Sequence, residues 1–202
     1  MEVTDRARTW FANIALALFY FYFVYNNASS LMVEFKFSVL LFLLFNSCIV
    51  VLAFLRRSPQ TVTGSSFDYI IAFCGTLSPL LFLGTPETSD NIPLLLLQIL
   101  GISLAFAGLL SLNRSFGLVP ADRGIVTTGM YKLVRHPLYT GYFVLCVGFL
   151  LQNFSVRNIS AFAVFAIFES LRLLIEEQFL SKNEEYSAYM KKVRWRVIPY
   201  VW

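Results

Sequence analysis

Apolar residues fall in six blocks along this chain, at roughly 10–25, 37–55, 67–84, 92–112, 138–152 and 159–175, each closed by a short polar stretch. A helix that crosses a bilayer needs about 20 predominantly apolar residues. The first and fifth blocks fall short of that length. They either extend into flanking polar residues or are partly covered by neighbouring helices. The pattern predicts an all-α polytopic membrane bundle of about six transmembrane helices, with five as the alternative. Pro79 interrupts the third block and predicts a kink, with a functional hinge as the lesser reading. Pro93 opens the fourth block, where a missing N–H costs nothing. Gly101 and Gly108 recur at seven residues, as do Gly141 and Gly148, and small residues on one helix face predict close helix packing.

Charge sharpens this picture. Basic residues gather at the N-terminus (Arg6, Arg8), after the second block (Arg56, Arg57), after the fourth (Arg114, Arg123, Lys132, Arg135) and in the tail (Lys182, Lys191, Lys192, Arg194, Arg196). The loop after the third block carries Glu87 and Asp90 and no basic residue, and those after the first and fifth hold Lys36 and Arg157 alone as basic residues. The positive-inside rule then predicts a multi-pass protein of the inner (plasma) membrane, with both termini in the cytoplasm. The mean hydropathy is +0.67, with 57% hydrophobic and 14% charged residues, against about 25% charged in a soluble domain. One integral membrane domain, 1–202, is expected, with four spans in 1–112 and the chemistry in 113–202. The net charge of +4 resides in loops and tail, so membrane lipids and not nucleic acid are the expected charged partners. Cys48, Cys74 and Cys146 lie inside apolar blocks and read as small core residues. No metal-ligand spacing, Rossmann turn or P-loop is present, and no cleavable signal peptide is evident.

Candidate chemistry is concentrated in two stretches. The first is 124–142, GIVTTGMYKLVRHPLYTGY, which holds His136, the chain's only histidine. A polar, glycine-punctuated loop between spans must satisfy its own backbone, so it belongs at the interface or around a cavity. The plainer reading keeps Tyr131 and Tyr139 as interfacial aromatics, Arg135 as a topology charge and His136-Pro137 as a helix start. The second stretch is 168–180, FESLRLLIEEQFL. Glu169, Arg172 and Glu176 share one helix face, with Arg172 and Glu176 an i,i+4 pair. Ionisable groups at membrane depth usually face the protein interior. Glu169 lies deepest and is read as a partner of Arg172. For Glu177 and Glu185 the reading is a helix end reaching water. The tail, 186–202, interleaves basic and aromatic residues in a manner suited to a membrane surface.

The run Val126-Thr127-Thr128-Gly129-Met130-Tyr131, followed by Arg135-His136-Pro137-Leu138-Tyr139-Thr140-Gly141, resembles the isoprenylcysteine carboxyl methyltransferase family. Phospholipid methyltransferases share much of this pattern. The resemblance continues through Arg172, Glu176 and Glu177, the pair Tyr186 and Tyr189, and Ile198-Pro199. It departs where Lys182-Asn183-Glu184-Glu185 precedes Tyr186, and Glu169 has no counterpart in it.

The resemblance implies a membrane-embedded methyltransferase that uses S-adenosylmethionine in a pocket on the cytoplasmic side. A lipophilic or lipid-modified acceptor would reach it from the bilayer. It implies that Ile125, Val126, Tyr131, His136, Pro137, Leu138, Tyr139 and Glu176 bind the cofactor. Arg172 would bind substrate near the transferred methyl, and Arg172 and Glu176 would be the catalytic pair. These residue types suit the chemistry. Methyl transfer is an in-line displacement, so positioning and electrostatics dominate. Tyr faces attract a sulfonium cation. An arginine fork can hold a carboxylate such as that of an isoprenylcysteine. An amine or phenol acceptor would need a base, for which Glu169 and His136 are the candidates. The alternative is an NADPH-dependent membrane sterol or lipid reductase, with Lys132 and Arg135 as phosphate-binding residues.

Overall fold

In the computed structural model, five of the six apolar blocks lie each within one α-helix, and the third, 67–84, is broken at Leu77. The structure describes residues 2–55, 61–85, 89–112, 115, 117 and 119–201. Arg56, Arg57, Glu87 and Arg114, used above to read topology, lie outside the described residues, as do Phe116 and Leu118. The helices are α1 (Glu2–Val33), α2 (Phe37–Leu55), α3 (Ser66–Leu77), α4 (Ile92–Leu112), α5 (Pro137–Gln152), α6 (Val156–Leu180) and α7 (Glu184–Lys192). Among the described residues, α4 and α6 are long and apolar enough to cross a membrane, while 37–49, 66–81 and α5 form shorter apolar helices.

The boundaries follow from local chemistry. Ser65, Ser155 and Asn183 cap α3, α6 and α7, each side chain accepting from a backbone N–H of the first turn. Helix α7 carries Glu184 and Glu185 in its first turn and Lys191 and Lys192 in its last, the order that suits the helix dipole. The segment Lys182–Glu185 that departs from the family pattern is thus the start of a capped helix. Pro137 opens α5 at its first turn, as expected. The first block is not short, since α1 continues through Asn26 and Asn27 to Val33. The fifth is short, and α5 is covered, with ten of its residues buried against its neighbours.

Pro79 does more than kink its helix. It has no N–H to donate to the carbonyl of Gly75, and the α-helix ends at Leu77. The Ser78 hydroxyl takes the Gly75 carbonyl instead, at 2.9 Å. A 3-10 turn, Ser78–Leu81, follows, and then an extended segment. Amide side chains answer the backbone groups of that segment. Asn27 donates to the Phe82 carbonyl, and its own carbonyl accepts from Gly84 N. Asn158 both accepts from Leu83 N and donates to its carbonyl, and Asn153 accepts from Thr85 N. Helices α1, α5 and α6 are thereby tied together at one end of the bundle, around a core of Phe42, Phe82, Phe149 and Phe165.

The opposite end gathers the loop after α2, the loop after α4 and the tail. A two-stranded antiparallel pair, β1 (Thr61–Val62) with β2 (Ala121–Asp122), joins the first two. Asn183 donates to Asp122 Oδ2 at 3.0 Å and brings in the third.

Helices α4 and α5 approach most closely, and the predicted glycine faces make the contact. A Cβ on Gly141 would fall 2.2 Å from Ala105 N, and one on Gly101 2.4 Å from Leu145 N. The obstacle is backbone in both cases, so the helices themselves would have to separate. Gly141→Ala is expected to cost roughly 1–3 kcal/mol. Gly148→Ala, which meets the flexible Gln98 side chain, should cost less. Thermal melts of the detergent-solubilised variants check this order, and equal melting temperatures for the two would contradict the packing.

Candidate active site

The start of α5 carries the polar stretch against the end of α6. The loop before α5 is shaped by Gly129, whose φ of +60° suits glycine. A Cβ there would also fall 2.4 Å from the Ser111 hydroxyl of α4. That hydroxyl accepts from Met130 N and fixes the 3-10 turn Gly129–Lys132, which presents Tyr131. His136 and Arg135 come next, and their backbone N–H groups donate to the Arg196 and Trp195 carbonyls at 2.8 and 2.9 Å. The Thr140 hydroxyl donates to the Val197 carbonyl at 2.7 Å. The tail is therefore strapped along the loop by three hydrogen bonds.

Glu177 clasps this strap to α6. Its Oε1 accepts from Arg135 Nε at 2.6 Å and lies 3.1 Å from His136 Nε2, and its Oε2 accepts from Arg196 Nε at 2.8 Å. Glu177 is 4% exposed. The reading of Glu177 as a solvated charge at a helix end is thus overturned: the tail and loop cover that side of α6. Arg135 likewise serves as more than a topology charge, and its guanidinium also donates to the Val193 carbonyl at 3.2 Å.

One cavity lies inside these walls. It is lined by Ile125, Val126, Tyr131, His136, Leu138, Tyr139, Arg172 and Glu176, so the structure brings together every expected site residue but one. Pro137 is the exception. It starts α5 and packs on α4 beside Gly108. The lining also includes Tyr186 and Tyr189 near the loop and tail, and Glu169, Ile49, Thr76, Pro79 and Tyr142 deeper among the helices. The cavity thus runs from a polar, loop-covered end to a largely apolar one between helices.

The charge pairing inside bears out the reading of Glu169 as a partner of Arg172 and not the i,i+4 pair of Arg172 with Glu176. Arg172 pairs with Glu169, its Nη1 donating to both carboxylate oxygens at 3.2 and 3.3 Å, and not with Glu176. Its Nη2 donates to the Gly117 carbonyl at 3.0 Å. Spacing allowed either acidic partner. Tyr139 decided it, because its hydroxyl donates to Glu176 Oε2 at 2.8 Å and draws that carboxylate to the α5 side. The Arg172 guanidinium lies 5.5 Å from the centre of the Tyr139 ring. Glu169 is held between Arg172 and α3, where a Cβ on Gly75 would come 3.1 Å from Glu169 Oε2. His136 is held by Glu177 at Nε2 and meets the Tyr139 ring edge-on at 5.4 Å.

Sequence reasoning counts Arg196 as a tail charge and Asn183 within the departing segment, and gives neither of them its partner. The one available signal is charge balance: Arg135, His136 and Arg196 converge, and a buried group of that kind needs a carboxylate.

Tyr131, Tyr186 and Tyr189 form a buried cluster against Ile125 and Val126. The Tyr189 hydroxyl donates to the Tyr131 carbonyl at 2.7 Å. Burial, followed by nearby acidic groups for Tyr131 and Tyr186, raises these phenols above their ordinary range; for Tyr189 burial, aided by Glu177, outweighs the opposing Arg135. The sign follows directly. An unfolded tyrosine releases its proton near pH 10, while these stay protonated in the fold, so their contribution is complete below about pH 10 and is lost above it. Melting temperatures should hold steady from pH 8 to 9.5 and decline beyond about pH 10. A flat profile to pH 11 would contradict the burial of these hydroxyls.

The class of protein that carries this architecture is visible in comparison with known families. Residues 92–187 match the family model described as phospholipid methyltransferase. The match supports the resemblance of this region to the isoprenylcysteine carboxyl methyltransferase and phospholipid methyltransferase family that its motifs carry. Among individual relatives, the chain is 33% identical over 103 residues to a protein-S-isoprenylcysteine O-methyltransferase of Schizosaccharomyces pombe, across 46% of this chain and 43% of the relative. It is 32% identical over 107 residues to protein-S-isoprenylcysteine O-methyltransferase A of Arabidopsis thaliana, across 49% and 54%. The matches span about half the length of these curated relatives. They give the reductase reading no support, and the Arg135 guanidinium it would recruit for a phosphate is already engaged by Glu177.

Proposed function

We propose that this protein transfers a methyl group from S-adenosylmethionine to a lipophilic acceptor at the membrane. The observation that carries this reading is the meeting of Tyr139, Glu176 and Arg172 in a cavity with an aromatic, loop-covered end and an apolar depth. When bound, S-adenosylmethionine supplies an electrophilic methyl on a sulfonium centre. The residues present suit such a ligand. Glu176 offers a carboxylate to ribose hydroxyls or an ammonium group, and the Tyr139 hydroxyl steers it. The Tyr139 and Tyr131 faces suit a cation. Ile125, Val126, Leu138 and His136 enclose the ligand and exclude water, and Pro137 sets the helix start that presents them.

Arg172 acts on the acceptor side, near the transferred methyl. Glu169 and the Gly117 carbonyl fix its guanidinium, which orients an acceptor oxygen for in-line attack. The relatives' names direct the first acceptor test to the carboxylate of an isoprenylcysteine-like compound. A carboxylate is already a nucleophile and needs no base. For a protic acceptor Glu169 is the better-placed base, because His136 Nε2 is held by Glu177.

The same reading places about six helices across the inner membrane. The loops after α2 and α4 and the tail carry the basic residues and share the end of the bundle that holds the cavity. Both termini and the site would then face the cytoplasm.

The test is a titration of the purified protein with S-adenosylhomocysteine, followed by transfer of labelled methyl groups into a lipid extract. Saturable binding and a labelled lipid product are expected. No binding at millimolar ligand would sink the proposal.

A further inference from the structure

The tail divides into residues that serve the site and residues that the fold leaves outside. Tyr186 and Tyr189 turn inward, Trp195 and Arg196 lend their carbonyls to the strap, and Val197 packs on Tyr139 and Leu173. Beyond Val197 the chain makes one tight turn, 198–201, closed by Val201 N donating to the Ile198 carbonyl at 3.1 Å. Ile198, Tyr200 and Val201 are at least half exposed, Tyr200 at 85%. Tyr200 has a φ of +67°, in a turn position where glycine or asparagine is the usual choice. Among the described residues, no other non-glycine residue has a positive φ. The Tyr200 ring lies 5.2 Å from that of Trp195, so the turn presents two aromatic rings together. Backbone strain spent on displaying an exposed aromatic points to a role outside the fold.

Depth along the bundle orders this segment. Arg196 reaches Glu177, and Val197 packs on Leu173, one helical turn nearer the middle of α6. At that level α6 exposes Leu171 and Leu174, so the turn starts where the surface of the bundle is apolar. Lys191, Lys192 and Arg194 come before this descent and are exposed. No acidic residue follows Glu185 in the chain. Cations first, aromatic rings next and aliphatic side chains last is the order of a leaflet, from phosphates through the interface to acyl chains. A second copy meeting this patch symmetrically would set like charges against each other. A soluble acidic partner would answer the cations and leave the apolar turn unexplained.

We propose that the turn 198–201 docks on an anionic lipid leaflet and that this contact keeps the strap seated on α6. Ile198, Tyr200 and Val201 enter the boundary of the acyl chains, and Lys191, Lys192 and Arg194 meet headgroup phosphates. This narrows lipid contact from the whole tail to one turn and three cations, and links it to the site. It rests on the membrane placement proposed above and is independent of the methyl donor.

The protein is reconstituted into nanodiscs of phosphatidylcholine, alone or with added phosphatidylglycerol. Trp10→Phe and Trp202→Phe leave Trp195 as the single tryptophan. Lipids brominated near the top of the acyl chain should quench Trp195 more strongly in the anionic discs. Hydrogen exchange at the Arg135 and His136 amides, which the strap protects, should be about fivefold slower there. Lys191→Gln, Lys192→Gln and Arg194→Gln together should abolish both differences. Tyr200→Gly relieves the turn and should lose the exchange difference, yet melt in detergent at the same temperature or higher. A tyrosine that merely supports the fold would lower that melt instead. Equal quenching in the two disc types would overturn the docking, and equal exchange would overturn its hold on the strap. Either result leaves the membrane placement intact, whereas a protein that does not enter the discs would overturn both.

Discussion

Arg172→Lys should lower turnover about 100-fold while leaving S-adenosylhomocysteine affinity within about threefold. Arg172 is buried, with Glu169 on one terminal nitrogen and the Gly117 carbonyl on the other. Lysine keeps a positive charge against Glu169, so the buried carboxylate is not abandoned. It replaces a rigid fork with one flexible point charge and cannot hold both partners in the same geometry. The acceptor atom is then less well aligned, and misplacement of about 1 Å is enough to cost two orders of magnitude. The contacts proposed above for the cofactor, through Glu176 and Tyr139, are untouched. Arg172→Ala is the less informative change, because it strands Glu169 without a partner at a cost of about 3–5 kcal/mol. The measurement is kcat from labelled transfer beside a calorimetric Kd. Undiminished kcat in Arg172→Lys would remove Arg172 from the acceptor side.

Glu177→Ala should produce the largest loss of stability of any single change near the site. The carboxylate receives Arg135, His136 and Arg196, so its removal leaves cations from the loop and the tail facing one another without an acid between them. Breaking a buried ion pair from one side costs about 3–5 kcal/mol. The strap should then lift from α6, opening the tail to trypsin at Lys191, Lys192, Arg194 and Arg196. Glu177→Gln keeps the shape and can still accept hydrogen bonds, so it should fall between Ala and the unaltered protein. Glu185→Ala, at an exposed position in the first turn of α7, should cost under about 1 kcal/mol. Limited proteolysis and thermal melts separate these outcomes. A tail as resistant in Glu177→Ala as in Glu185→Ala would show that the backbone hydrogen bonds at Arg135 and His136 hold the strap unaided.

The helices were readable because their signals are local. Blocks 37–55 and 92–112 coincide with α2 and α4, where long apolar runs end abruptly in polar residues. The glycine spacing on α4 and α5 announced their contact, since only small residues permit backbones to approach so closely. The stretch before α5 and the charged turns of α6 were legible as chemistry, because ionisable and glycine-rich segments are rare between apolar runs.

Other features depended on which surfaces meet. Glu176 and Glu177 are neighbours in sequence but point about 100° apart around α6. The first faces the cavity and the second the tail, and nothing in the order of residues says how far the buried arc of α6 extends. Arg172 has acidic residues at both i−3 and i+4, and the Tyr139 hydroxyl on another helix settles which one it pairs with. Pro79 signalled a disturbance, but the amide side chains of α1, α5 and α6 determine that the chain continues extended instead of resuming a helix. The sequence by itself determined where helices run and which two stretches carry the chemistry, because apolar run length, capping and charge act over a few residues. The tertiary structure alone decided the pairing of charges and the course of the tail. Those depend on contacts between residues 19 to 55 positions apart, which have no local signature.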